Sequence, residues 1–163
     1  VKALKSGREP DLEKPLHAGP ELDLHVPALI PEEYLPDVHL RLVLYKRIAA
    51  APDGEALDEL EAELIDRFGP LQPPTQNLFR ITRLKLRAAR LGLRKLEVGP
   101  LGGLVEFGAD HAVDPKVVLK LVQREAKVYR LDGPHRLRFV QRNETDEARC
   151  RAADALLTAL GAP

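Results

Sequence analysis

Between residues 53 and 96 the charged side chains are sorted into two blocks. Residues 53–66 hold seven acids (Asp53, Glu55, Asp58, Glu59, Glu61, Glu63, Asp66) and no base. Residues 67–96 hold eight bases (Arg67, Arg80, Arg83, Lys85, Arg87, Arg90, Arg94, Lys95) and no acid. Neighbouring carboxylates are the raw material of general acid–base catalysis. A run of guanidiniums is suited to holding carboxylates or phosphates. Over the whole chain 25 basic and 25 acidic residues cancel. The sorting is therefore local, and it implies charged faces presented to a partner or to each other.

The chemistry open to these residues depends on the elements that carry them. Asp53 is a good N-cap and Gly69-Pro70 a stop signal, so a helix is predicted over residues 53–68. Leu57, Leu60, Leu64 and Phe68 fall on one side of it, and Glu55, Glu59, Glu63 and Asp66 form the opposite ridge. Carboxylates on an open ridge are expected to stay hydrated and lack a cleft, which argues against acid–base work. The ridge is then either a solvated face or a docking surface for a basic partner, with Glu59, Glu63 and Asp66 as the candidate contacts. A further helix is predicted over residues 74–91. Ile81, Leu84, Ala88 and Leu91 line one side and Phe79 and Leu86 another, while Arg80, Arg83, Arg87 and Arg90 recur at steps of three and four along one narrow ridge. We expect this helix to be central and the arginines to be its exposed edge. They can pair with the acids of residues 53–66, face another protein, or touch phosphates. An aromatic content of 4% argues against base stacking on single strands. The zero net charge and the absence of a nucleic-acid module signature argue the same way.

The other elements complete an α+β chain, a helical bundle followed by a small antiparallel sheet of two hairpins with packed helices. Residues 1–36 contain six prolines (Pro10, Pro15, Pro20, Pro27, Pro31, Pro36) and read as an extended arm. In it Leu22, Leu24 and Val26 alternate with polar residues as one short strand would, and the rest reads as linker. Residues 37–163 read as one regulatory domain. It opens with a helix from the Asp37 N-cap to about residue 50, apolar on two sides and expected to be mostly buried. Strands are predicted at 93–98 and 104–107 around a glycine-rich loop, Gly99 to Gly103, and at 127–131 and 137–140 around Asp132-Gly133-Pro134. Asp114-Pro115 opens a helix to about residue 125, and Asn143 is read as the cap of the last helix, to about residue 160.

Other chemistries find little support. The only serine is Ser6, and the only cysteine, Cys150, shares a helical stripe with Ala153, Leu157 and Leu160. Cys150 reads as a small buried hydrophobe in a reducing compartment, and a nucleophile with a positioned histidine is not expected. The five histidines (His17, His25, His39, His111, His135) are scattered without metal-ligand spacing. The Gly99 to Gly103 stretch lacks the Lys-Ser/Thr end of a phosphate loop. No catalytic residue, metal or cofactor is therefore expected. No apolar run reaches the roughly 20 residues of a membrane span, and no signal-peptide pattern appears. A chain that starts at Val1 and contains no methionine is expected to be a piece of a longer protein.

Several blocks, in order, carry a family resemblance: YLPDV (34–38), LYKRIA (44–49), ELIDRFGPL (63–71), LGLRKLE (91–97), GGLVEF (102–107) and YRLDGPHRLRF (129–139). Together they resemble the C-terminal domain of the bacterial transcription-repair coupling factor (Mfd) family over about residues 34–140. The preceding ALKSGREPDLE (3–13) resembles the segment that joins that family's motor to its last domain. The resemblance implies a large cytoplasmic parent, an ATP-driven DNA translocase that pushes stalled RNA polymerase off damaged DNA and recruits the repair protein UvrA. It implies that this last domain is not catalytic and needs no cofactor. The domain would fold back on the UvrB-like N-terminal module of the same protein, mask the UvrA-binding surface and restrain the motor. DNA and RNA polymerase would be contacted by other parts of the parent. In that family acids of the ELIDRFG motif face arginines of the UvrB-like module, which would give Glu63 and Asp66, aided by Glu59, that role here. The alternative is a nucleic-acid or polymerase contact through Arg80, Arg83, Arg87 and Arg90.

Overall fold

The computed structural model describes residues 19–162. It contains five helices and five strands in the order β1 (Glu21–Asp23), α1 (Val38–Ala49), α2 (Gly54–Phe68), α3 (Pro73–Leu91), β2 (Leu93–Gly99), β3 (Gly102–Phe107), α4 (Pro115–Arg124), β4 (Tyr129–Leu131), β5 (Arg136–Val140) and α5 (Asp146–Ala159). The α+β class is the one expected. Its described residues form two compact units, residues 27–83 and residues 19–26 with 84–162, and the boundary falls inside α3 between Arg83 and Leu84.

The first unit is helical. Asp37 caps α1 by accepting from Leu40 N–H, and Asp53 caps α2 by accepting from Ala56 N–H. Leu44, Ile48, Leu57, Leu60, Leu64 and Phe79 make its core. α1 is less buried than its composition suggests. Val38 and Leu42 are 59% and 55% exposed, because only the Leu44–Ile48 side of the helix meets the core. Residues 27–36, read above as linker, are packed. Ile30 and Leu35 are buried, Ile30 N–H donates to Tyr45 Oη at 2.7 Å, and Thr75 Oγ1 donates to Leu29 O at 3.0 Å. The part of the proline-rich arm before residue 19, including His17 and Ser6, lies outside the described residues.

The second unit is built on one sheet of order β1-β2-β3-β5-β4. The two expected hairpins are β2–β3 and β4–β5, joined edge to edge through β3–β5. The sheet is mixed rather than wholly antiparallel, because β1 lies parallel to β2, with Leu22 opposite Leu96. A parallel pair needs a long crossover, and the chain between β1 and β2 supplies one. Leu96, Val98, Val105, Leu137 and Phe139 are buried along the inner face, and α5 packs against β2 with Cys150, Ala153 and Leu157 buried. Cys150 is thus the small buried hydrophobe its stripe implied.

Two sequence expectations in this unit are corrected. The glycine-rich stretch is not a five-residue loop, since Gly99 pairs with Gly102 and Val98 with Gly103 and only Pro100 and Leu101 form the turn. Glycine is required there because a Cβ at Gly103 would overlap Glu97 O and press on the Phe139 ring. The last helix is capped by Thr145, whose hydroxyl accepts from Ala148 N–H at 3.0 Å, and not by Asn143. Asn143 is 1% exposed and fastens the turn instead. Its N–H donates to Pro100 O at 2.8 Å and its amide nitrogen to Gln141 O at 3.1 Å.

Candidate protein-interaction site

The acidic ridge lies on α2, and local chemistry holds that helix in place at both ends. Beyond the Asp53 cap at its start, Gly69 at its end takes φ +94° and donates to Ile65 O at 2.9 Å. Tyr34 then seals the last turn. Its hydroxyl proton is shared between Leu64 O at 3.1 Å and Gly69 O at 2.8 Å, and its ring meets Phe68 edge-on at 6.1 Å. Burial pushes the Tyr34 phenol pKa up. Tyr34 therefore fixes the turn that carries Glu63 and Asp66. Periodicity did not single it out, and the YLPDV block was the only sequence signal.

The three candidate acids differ in their surroundings. Glu63 is half-buried and accepts two parallel hydrogen bonds at 2.9 Å from the Arg47 guanidinium on α1, with a third at 3.2 Å from Arg67. Hydrogen bonding from Arg47 is the main cause of its lowered pKa. Glu59 and Asp66 are exposed and form no ion pair among the described residues. A shallow depression of about 370 Å³ opens beside Glu59 and Glu63, floored by Ala50, Ala51, Ala56 and Leu60. Two carboxylates without an ion pair among the described residues thus flank one that is held by two guanidiniums.

This contrast sets a pH prediction. Glu63 has a folded pKa below its unfolded value, so its pair with Arg47 stabilises the fold fully above the ordinary glutamate value of about 4.3. The contribution is lost as pH falls through the lower, folded value. In Arg47→Ala, a carboxylate NMR titration should show the Glu63 midpoint rising towards the ordinary value. An unmoved midpoint would mean that Arg67 alone sets it.

The arginine ridge is not the exposed edge that its spacing suggested. Arg83 Nη2 donates to Asp58 Oδ1 at 2.6 Å and to Glu61 Oε1 at 2.9 Å, so it pairs with the acidic block as one reading anticipated. Within the second unit, Arg87 binds Asp154 and donates to Thr158 Oγ1 at 2.8 Å on α5. Arg80 is half-buried, and only Arg90 is exposed. The helix is flanked by acids in each unit, and a long guanidinium finds them at little cost.

The structure also gathers one cluster that sequence spacing missed. His25, at φ +54°, lies between Asp23 and Glu97, with Nε2 2.9 Å from Glu97 Oε2. Donor atoms of the three residues lie within 4.8 Å of one another, on an exposed surface. His25 N–H donates to Asp23 Oδ1 at 3.0 Å, so the visible work of the cluster is to pin the turn after β1. Among the described residues no helix is long and apolar enough to cross a membrane.

The TRCF domain family matches residues 24–118. The transcription-repair-coupling factor of Haemophilus influenzae is 44% identical over 162 residues, which is 99% of this chain and 14% of that protein. Its counterpart in Escherichia coli K12 is 47% identical over 141 residues, 86% of this chain and 12% of that protein. The chain therefore spans only a small part of the length of these relatives. Among solved structures, the crystal structure of the C-terminal domain of a transcription-repair coupling factor matches with a TM-score of 0.70 at 21% identity. The match covers 87% of this chain and 94% of that one, and it shows a shared fold.

Proposed function

Because the chain belongs to the TRCF domain family of the transcription-repair coupling factors, we propose that it is the non-catalytic regulatory domain of such a factor. In this reading the parent is a cytoplasmic bacterial translocase whose ATP-driven motor, DNA contacts and RNA polymerase contacts lie outside this chain. The domain docks on the UvrB-like N-terminal module of the same protein, masks the surface that UvrA binds and restrains the motor. The observation that supports this is the pair of exposed carboxylates, Glu59 and Asp66, which form no ion pair among the described residues, on a helix whose last turn, carrying Asp66, is held by Tyr34 and Gly69.

The environment of Glu63 refines the roles. A partner arginine reaching Glu63 must compete with Arg47 and Arg67 for its oxygens, whereas Glu59 and Asp66 form no ion pair among the described residues. Exposed ion pairs contribute only about 0–1 kcal/mol each, and salt screens them. A latch that must open needs contacts of that size, made effective by tethering within one chain. The ridge reading for nucleic acid loses ground, because Arg83 and Arg87 already hold carboxylates.

The test is calorimetric titration of the chain with the matching UvrB-like module at low and moderate salt. Weak, salt-sensitive binding is expected. Glu59→Ala/Asp66→Ala should weaken it by about tenfold, as loss of two exposed pairs would. Equal affinity of the double variant and the parent chain would remove the acidic ridge from the interface.

A further inference from the structure

The outer face of the sheet carries a second charged surface, unrelated to the acidic ridge. Cross-strand register places Glu97, Leu104, Arg138 and Arg130 in one row across β2, β3, β5 and β4. The next row is Gly99, Gly102 and Val140. The two glycines leave the sheet bare, and an open groove of about 900 Å³ lies there. All of its lining belongs to the second unit.

The groove has a surplus of positive charge. Arg130 and Arg138 stand directly opposite each other, an arrangement of like charges that destabilises a strand pair. One carboxylate, Asp132, compensates them through Arg138 Nε at 2.7 Å. At the other end Arg149 is held by two backbone carbonyls, with Nε donating to Asn143 O at 2.9 Å and Nη1 to His25 O at 2.8 Å. No carboxylate neutralises it among the described residues, and the same is true of exposed Lys127. Among the described residues the only acid lining the groove, Glu97, is engaged by His25. Beside these cations stand two strongly exposed apolar side chains, Leu101 at 70% and Val140 at 66%.

We propose that this groove docks an extended acidic peptide segment of another protein, one that alternates carboxylates with apolar side chains. Charge complementarity selects the acids: Arg149 is already oriented by its carbonyls, so a carboxylate meeting it orders little new. Leu101 and Val140 select the apolar positions, since covering them removes exposed apolar surface from water. A phosphodiester backbone would use the cations but leave that apolar surface uncovered, and of the aromatic rings lining the groove Phe139 is buried and the exposed His25 imidazole is held by Glu97.

The test is fluorescence anisotropy with a labelled peptide of alternating glutamate and leucine, beside a polyglutamate peptide and a single-stranded oligonucleotide. The alternating peptide should bind best. Arg130→Glu should weaken it by about tenfold through charge reversal. Gly99→Val should weaken it comparably by filling the groove without removing a cation. Gly99 tolerates a side chain, because its added Cβ meets nothing nearer than 3.6 Å and its φ is not positive. Circular dichroism of both variants confirms that they fold. Affinity unchanged in both folded variants, no peptide binding at low salt, polyglutamate binding as tightly, or preference for the oligonucleotide would each overturn the proposal.

Discussion

Phe79→Ala is expected to destabilise the chain by about 3–5 kcal/mol. Phe79 is 1% exposed and is the largest fully buried side chain of the first unit. Removing its ring deletes apolar contacts and leaves a cavity in a close-packed interior that relaxes only in part. A second effect follows at the surface. The Arg83 guanidinium lies 5.9 Å from the Phe79 ring centroid while it holds Asp58 and Glu61. Without the ring, that arginine loses the apolar support of its stem. Urea unfolding measures the total, and a loss below about 1 kcal/mol would show that the site repacks freely. The contrast with Asp66→Ala is informative. Asp66 is exposed, so its loss should stay within about 0.5 kcal/mol of neutral. A defect in docking caused by Asp66→Ala then reflects the interface and not the fold.

The second large effect is expected at the centre of the sheet. Gly103→Ala adds a Cβ that would overlap Glu97 O and lie 2.8 Å from Phe139 Cζ. Neither neighbour can yield cheaply: Glu97 O is backbone of the paired strand, and Phe139 is buried. Overpacking of this kind should cost about 3 kcal/mol or more, with the β2–β3 pair the first to separate. Thermal unfolding gives the magnitude. Amide hydrogen exchange at Leu96, Val98 and Val105 shows whether the loss is centred there. Gly99→Ala is the control. Its Cβ meets only ordinary van der Waals contacts, so it should be neutral or slightly stabilising. Equal losses for the two would mean that the strand dislikes any side chain near the turn, and that the close approach of Glu97 O and Phe139 to Gly103 is incidental.

Among the described residues, every expected helix formed within a few residues of its predicted span. These elements were legible because their signals are local. An aspartate cap, a glycine stop and apolar side chains at helical spacing act within one or two turns, wherever the rest of the chain lies. The acidic ridge was legible for the same reason. Its opposition to Leu57, Leu60 and Leu64 is a property of one helix.

Only the tertiary structure decided which charges remain available. Glu63 and Asp66 look equivalent in ELIDRFG, yet Arg47, sixteen residues before Glu63, binds one and not the other. Arg83 and Arg87 share one ridge by periodicity but lie beside acids on different elements, α2 and α5. Asn143 has the residue type of a cap, but it serves a turn 44 residues away in the chain. The register that sets Arg130 against Arg138 and leaves Gly99 and Gly102 bare also depends on strands meeting across the sheet. Hydrogen bonds and ion pairs are short-ranged, so they act on whatever the fold brings within about 3 Å. Sequence spacing specifies neighbours only where the chain itself supplies the geometry.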